Sequence, residues 1–145
     1  MHTLPKDMEN DELKIVGEDI FLRRIRLSDV NDDYHSWLND PRVNEFLEVR
    51  HQPVSKQDIR DYITSLKGRD EIYFLAICLL SDRRHVGNIK LGPIHPVHCF
   101  AEISILIGDT SCWGRGYGAQ AISLLTAYAF DHLNLNRLSA GLYEN

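Results

Sequence analysis

The chain has 145 residues, 43% of them apolar and 26% charged, and a formal net charge of −5, which suits one ordinary globular domain with length enough for a proper core. No apolar run reaches the length of a membrane span, the start Met1-His2-Thr3-Leu4-Pro5-Lys6 lacks a signal-peptide core, and the acidic balance argues against nucleic acid as a main partner. Three widely spaced cysteines, Cys78, Cys99 and Cys112, form no C-x-x-C pair, so the chain reads as free of a disulfide framework, in a reducing compartment, with the cytoplasm as the default.

Residues 1–19 are polar and acidic with little periodicity and read as a loose lead-in to a single domain over 20–145. Ile20 to Leu27 reads as a strand, with Phe21, Ile25 and Leu27 on one face and arginines interspersed. Ser28 is placed to cap the next helix, and Asp29, Asp32 and Asp33 crowd a first turn where the helix dipole favours negative charge. That helix carries Val30, Tyr34, Trp37 and Leu38 at three-to-four spacing and stops at Asn39-Asp40-Pro41. Arg42 to Leu47 adds a short second helical piece. A further helix runs from a Ser55 cap, with Asp58 three residues on, to Leu66. Ile59, Tyr62, Ile63 and Leu66 form its buried stripe and Gly68 ends it.

Three strands follow in hairpin order. Ile72 to Leu80 is apolar on both faces and should be covered on both sides. After the turn Ser81-Asp82-Arg83-Arg84, Val86 to Ile94 sets Asn88 and Lys90 against Ile89 and Leu91. The loop His95-Pro96-Val97-His98 leads into Cys99 to Ile107, where Ala101, Ile103, Ile105 and Ile107 share one face and Glu102, Ser104 and Leu106 the other. A helix over about Ala119 to His132 shows a stripe of Ile122, Leu125, Ala129 and Leu133. Arg137 to Leu142 reads as a last strand, parallel to the third through a right-handed crossover.

Between that third strand and the helix lies Trp113-Gly114-Arg115-Gly116-Tyr117-Gly118-Ala119. Alternate glycines remove side chains where a ligand must approach the backbone, and they allow dihedrals other residues avoid. The N–H groups that open a helix lack intrahelical partners and sit at its positive end. Strand, glycine loop and helix start therefore form an anion site suited to a phosphate or pyrophosphate. A tight, closely packed turn is the plain alternative.

The run W-G-R-G-Y-G-A resembles the acetyl-CoA-binding loop of the GNAT N-acetyltransferases, Gln/Arg-x-x-Gly-x-Gly/Ala, with Gly116 and Gly118 on its two small positions and Trp113 where Gln or Arg is usual. Leu22-Arg23-Arg24-Ile25-Arg26-Leu27-Ser28-Asp29 and Trp37-Leu38-Asn39-Asp40-Pro41 resemble the branch that includes the ribosomal-protein N-acetyltransferases. The order β-α-α-β-β-β-α-β matches that family's core. The resemblance implies an α+β, three-layer fold: a mixed, mostly antiparallel sheet with helices on both faces. It also implies acetyl-CoA as co-substrate and no metal, held by the backbones of Ile105 and Ile107, by Trp113, Gly114, Arg115, Gly116, Tyr117, Gly118 and Ala119, and by Asn145 on the family's asparagine. The strand before the loop is expected to splay from its neighbour and bond the pantetheine arm. The family's final helix and strands have no counterpart before Asn145, which leaves a sheet edge that a second copy of the chain could cover. A shortened gene product is the other expectation.

Acetyl transfer needs a neutral amine beside a thioester carbonyl and a fate for the leaving thiolate. Glu102, mid-strand upstream of the loop, is the candidate base, on the expectation that partial burial raises its pKa. Tyr143 is the candidate thiolate acid, although it does not sit at the family's tyrosine position. Trp37, Phe46 and His51 are candidates to line an acceptor pocket, with helix packing as the alternative. Cys112 has no adjoining base and reads as a spectator thiol. His95, His98 and Cys99 fit no established metal spacing and read as a hairpin loop. The acceptor class is open: a protein N-terminus, an amino sugar, or a small-molecule amine such as a polyamine. Two other readings stay open as well: a non-catalytic module that keeps the cofactor, and a dinucleotide-binding protein on the strength of Gly116-x-Gly118-x-x-Ala121 and Glu144.

Overall fold

Alternation along the central strands decides the layering. The structure, a computed structural model, describes residues 13–44 and 53–142. Its strands are β1 (Lys14–Val16), β2 (Ile20–Arg24), β3 (Tyr73–Leu79), β4 (His85–Leu91), β5 (Phe100–Ile107) and β6 (Arg137–Leu142). Its helices are α1 (Asp32–Asn39), α2 (Pro41–Asn44), α3 (Lys56–Ser65) and α4 (Tyr117–His132). The strands form one sheet in chain order, antiparallel from β1 to β5 and parallel between β5 and β6. One face of the sheet sends Leu22, Leu75, Ile77, Ile89, Leu91, Ile103 and Ile105 against Ala121, Leu125 and Ala129 of α4. The other face places Leu106 among Tyr34 and Trp37 of α1, Val43 of α2, and Ile59 and Ile63 of α3. Four consecutive β3 residues, Leu75 to Cys78, are wholly buried, as expected of a strand covered on both sides.

The mixed, mostly antiparallel sheet agrees with the expected fold class, and its run of hairpins removes the doubly wound alternative. Several boundaries differ. A strand, β1, occupies the expected lead-in and pairs with β2. It is too short to show an alternation, and only Ile15 of its three residues is half-buried. β2 stops at Arg24, and Leu27–Asp29 is a tight 3-10 turn. Ser28 does not cap α1. Asn31 does, accepting from the Tyr34 amide at 2.9 Å. Asp29 is likewise no solvated first-turn charge. It is buried, takes two bonds from Arg23 at 2.9 and 2.8 Å, and accepts from the Arg26 amide at 2.7 Å. The Ser55–Asp58 capping box is present, but Tyr62 is 42% exposed and leaves the α3 stripe to Ile59 and Ile63. β4 ends at Leu91, where Gly92-Pro93 removes a ladder donor. α4 starts at Tyr117, two residues earlier than the periodicity indicates.

Candidate functional site

β5 ends at Ile107 in a turn that its neighbours dictate. A Cβ at Gly108 would overlap the Trp37 ring, so the chain passes that ring only as glycine. Asp109 then caps a 3-10 turn (Thr110–Cys112), accepting from the Ser111 amide at 3.0 Å and the Ser111 hydroxyl at 2.6 Å. Its other oxygen pairs with Arg84 at 2.8 Å, which ties this turn to the β3–β4 connection. Trp113 folds back and donates Nε1–H to the Ile107 carbonyl at 2.8 Å, pinning the glycine loop to the end of β5.

The loop itself is open. Gly114 and Gly116 have φ of 78° and 79°, and a Cβ at either would meet nothing within 4 Å. Glycine is needed there for its backbone conformation, not for want of room among the described residues. Gly116 is the N-cap of α4, and the first helical bond runs from the Gln120 amide to the Gly116 carbonyl at 3.0 Å. The amides of Tyr117, Gly118 and Ala119 precede that bond and have no intrahelical acceptor, at the positive end of a 16-residue helix. Arg115 is exposed and donates Nε–H to the Ser111 carbonyl at 3.3 Å, which holds its guanidinium at the rim. The result is an open, donor-rich cradle at a helix N-terminus, where a negative charge is favoured. Behind it, Gln120 clasps the β1–β2 turn, accepting from the Asp19 amide at 3.2 Å and donating to the Asp19 carboxylate at 2.7 Å.

Along β5, even-numbered residues bond toward β4, as the Gly92 amide does to the Glu102 carbonyl at 3.0 Å. Odd-numbered residues therefore turn their backbone groups toward β6. The β5–β6 ladder runs unbroken from Phe100–Arg137 to Ile105–Leu142. The expected splay is thus absent up to Ile105, whose backbone lies inside the ladder. Ile107 lies beyond the last pair, but its carbonyl is taken by Trp113.

On the face of β5 that α1 to α3 cover lie Glu102, Ser104 and Leu106, the last two opposite Lys90 and Asn88 of β4. Glu102 is exposed, so the expected partial burial is absent, and its carboxylate makes no bond among the described residues. Lys90 donates to the Tyr62 hydroxyl at 3.0 Å. Trp37 is a correction: it is 7% exposed, stacks on Tyr34 at 5.7 Å and meets His85 edge-on at 5.0 Å. It packs in the core under the site, against Tyr34, His85 and the Gly108 backbone. Phe46, His51, Tyr143 and Asn145 lie outside the described residues.

Sequence reasoning missed a buried polar group beneath this face. His85 bonds Asn88 Oδ1 at 2.7 Å, with Tyr34 against the His85 ring. Burial holds the imidazole below its ordinary pKa, against the Asn88 bond, and burial pushes the Tyr34 phenol up. Both are therefore neutral near pH 7, and they serve packing. Their only sequence signal was Asn88 on an otherwise covered strand. Cys112 is buried, which raises its thiol pKa and fits a spectator. In the hairpin loop, His95 Nδ1 accepts from the Val97 and His98 amides at 3.3 and 3.0 Å, and its ring stacks on Phe100 at 5.0 Å. No three His, Cys, Asp or Glu side chains among the described residues converge as metal ligands.

A family model described as an acetyltransferase (GNAT) domain matches residues 19–145. The chain is 27% identical over 125 residues to the uncharacterized N-acetyltransferase p20 of Bacillus licheniformis, covering 85% of this chain and 69% of that protein. Its fold overlays an acetyltransferase (GNAT family) from Bacillus anthracis with a TM-score of 0.74 at 19% identity, covering 88% of this chain and 72% of that one. A spermidine N-acetyltransferase from Vibrio cholerae, in complex with CoA and spermine, overlays with a TM-score of 0.69 at 18% identity, covering 84% and 70%. Across the curated relatives it matches, the chain spans from 27% to 72% of their length.

Proposed function

Because the chain belongs to the acetyltransferase (GNAT) family of acetyl-CoA-dependent N-acetyltransferases, we propose that it moves an acetyl group from acetyl-CoA to a primary amine by direct attack in a ternary complex. The observation that carries this reading is the open glycine cradle: two positive-φ glycines leading into three amides with no intrahelical acceptor. The CoA diphosphate would sit on the amides of residues 117–119, with Arg115 at its rim adding a charge-assisted bond. The pantetheine arm would then bond the Ile107 amide and run back along β5 past Ser104. Opening the Ile105–Leu142 pair would extend its hold.

The amine attacks the thioester carbonyl carbon from the face that Ser104 and Glu102 share. The C–N bond forms, the C–S bond breaks, and the electron pair leaves with the CoA sulfur. Glu102, exposed on that face, takes the amine proton through water. The CoA thiolate needs no strong acid, since thiols are far more acidic than alcohols, and Tyr143 is the candidate to protonate it.

Release of free thiol from acetyl-CoA across a panel of amines, beside calorimetry with acetyl-CoA, tests this reading. Turnover with at least one amine is expected, and Glu102→Gln should lower kcat by about a hundredfold, the low end of general-base effects. Unchanged turnover in that variant removes the role of Glu102. Binding without release on any amine favours a cofactor-holding module, and no binding removes the cradle.

A further inference from the structure

A cleft of about 470 Å³ opens where the end of β2 and the turn after it face the C-terminal end of α3. Arg24, Arg26, Lys67 and Arg69 line it, over a floor that includes Ile25, Ile63 and Phe74, and among the described residues no carboxylate lines it. Four of the 16 Lys and Arg residues of a chain with net charge −5 therefore meet in one concavity. Two neighbouring acids are committed. Asp29 is held by Arg23 and the Arg26 amide, and Glu71 pairs with Arg69 at 2.6 Å. The Arg24 guanidinium lies over the Tyr73 ring at 4.6 Å. Arg26 and Lys67 are exposed and form no ion pair among the described residues. Charges so placed raise the local concentration of anions against the field of the whole molecule.

The cleft shares a sheet face with the reacting centre proposed above. Ser104 lies opposite Lys90, and Lys90 opposite Phe74, so Phe74 is two strand spacings, about 10 Å, from Ser104. The Ile25 amide bonds the Phe74 carbonyl at 3.1 Å, which places the β2 side of the cleft one spacing further, about 15 Å away. We infer that this cleft recognises an anionic group, carboxylate or phosphate, on the acceptor, held about 10 to 15 Å from the amine to be acetylated. The inference rests on the acetyl-transfer reading and narrows its acceptor class to amines with a distal negative charge.

Matched tetrapeptides test it, because three extended residues span about 10 Å. Ser-Ala-Ala-Glu amide and Ser-Ala-Ala-Gln amide differ only in the distal charge, and a version ending in phosphoserine is the second arm. The KM of an anionic peptide should be about tenfold below that of the neutral one, the weight of one charge-assisted bond. Arg26→Gln and Lys67→Gln should each narrow that ratio toward one. The arm with the larger ratio identifies carboxylate or phosphate. Equal KM values in the wild type, or a ratio that survives both substitutions, overturn the inference. If no amine releases thiol, the acetyl-transfer reading fails on its own account, and an NMR titration with inorganic pyrophosphate decides the cleft. Shifts at the amides of Arg26, Lys67 and Gly68 support it, and shifts confined to residues 113–119 overturn it.

Discussion

Asp29 shows what one carboxylate does when it is drawn into the fold. Burial alone would favour its neutral form. The bidentate bond from Arg23, the Arg26 amide and the Arg23 charge outweigh that, and the carboxyl is held below the ordinary aspartate range. A depressed folded pKa gives stability that is complete above the unfolded value, about 3.9, and is lost as pH falls through the folded one. Asp29→Asn should therefore destabilise by roughly 3 kcal/mol at pH 7, because Arg23 keeps a buried charge without its partner. In urea melts the gap between wild type and variant should hold from pH 7 to about 4 and narrow below it. Gly116 poses a different residue-scale question. With open space at its Cβ, alanine there pays only for the left-handed backbone, about 1 kcal/mol, and asparagine less. Gly116→Ala should lower both stability and acetyl-CoA affinity, with Gly116→Asn between it and wild type in calorimetry and thermal melts.

Among the elements, the β5–loop–α4 unit was the most legible from the sequence, since each of its parts has a local cause. Alternation marks the strand, glycines mark the loop, and the 3.6-residue stripe marks the helix. The Ser55–Asp58 box was legible for the same reason. What escaped notice was set by distant partners. Asp29 looks like a helix-start charge until Arg23 is seen across the turn. The packing of Trp37 on the Gly108 backbone is likewise set from far along the chain. β1 is three residues long and exists because β2 offers it an edge. The indole bond from Trp113 to Ile107 belongs to this group, and it makes a prediction. Trp113→Phe keeps a ring of similar shape but loses the donor, which should cost about 1 kcal/mol of stability. It should also raise the KM for acetyl-CoA by several fold with a smaller change in kcat, since the loop loses its anchor while the reacting face is untouched. An equal fall in kcat would place Trp113 nearer the chemistry.

At the scale of the whole molecule, the sheet separates two charge environments. The glycine cradle at the C-terminal end of β5 and the arginine cleft beside the end of β2 lie toward opposite ends of one sheet, since the end of β2 lies beside the start of β3, the end of β4 and the start of β5. A ligand held at the cradle alone should act on the global equilibrium by mass action. Acetyl-CoA at a hundred times its Kd should add about 2.7 kcal/mol to unfolding, seen as a rise of several degrees in Tm. A melt that does not move with cofactor concentration would count against the cradle as a binding site.

The clasp between Gln120 and Asp19 joins the first turn of the long helix to a hairpin bend a hundred positions earlier in the chain. An occupied cradle would quieten that helix turn, and the bend, held to it through Gln120 and packed on the same helix at Leu124, would be quietened too. Deuterium uptake at residues 17–19 thus becomes a remote gauge of cofactor occupancy, readable without labelling the loop at all.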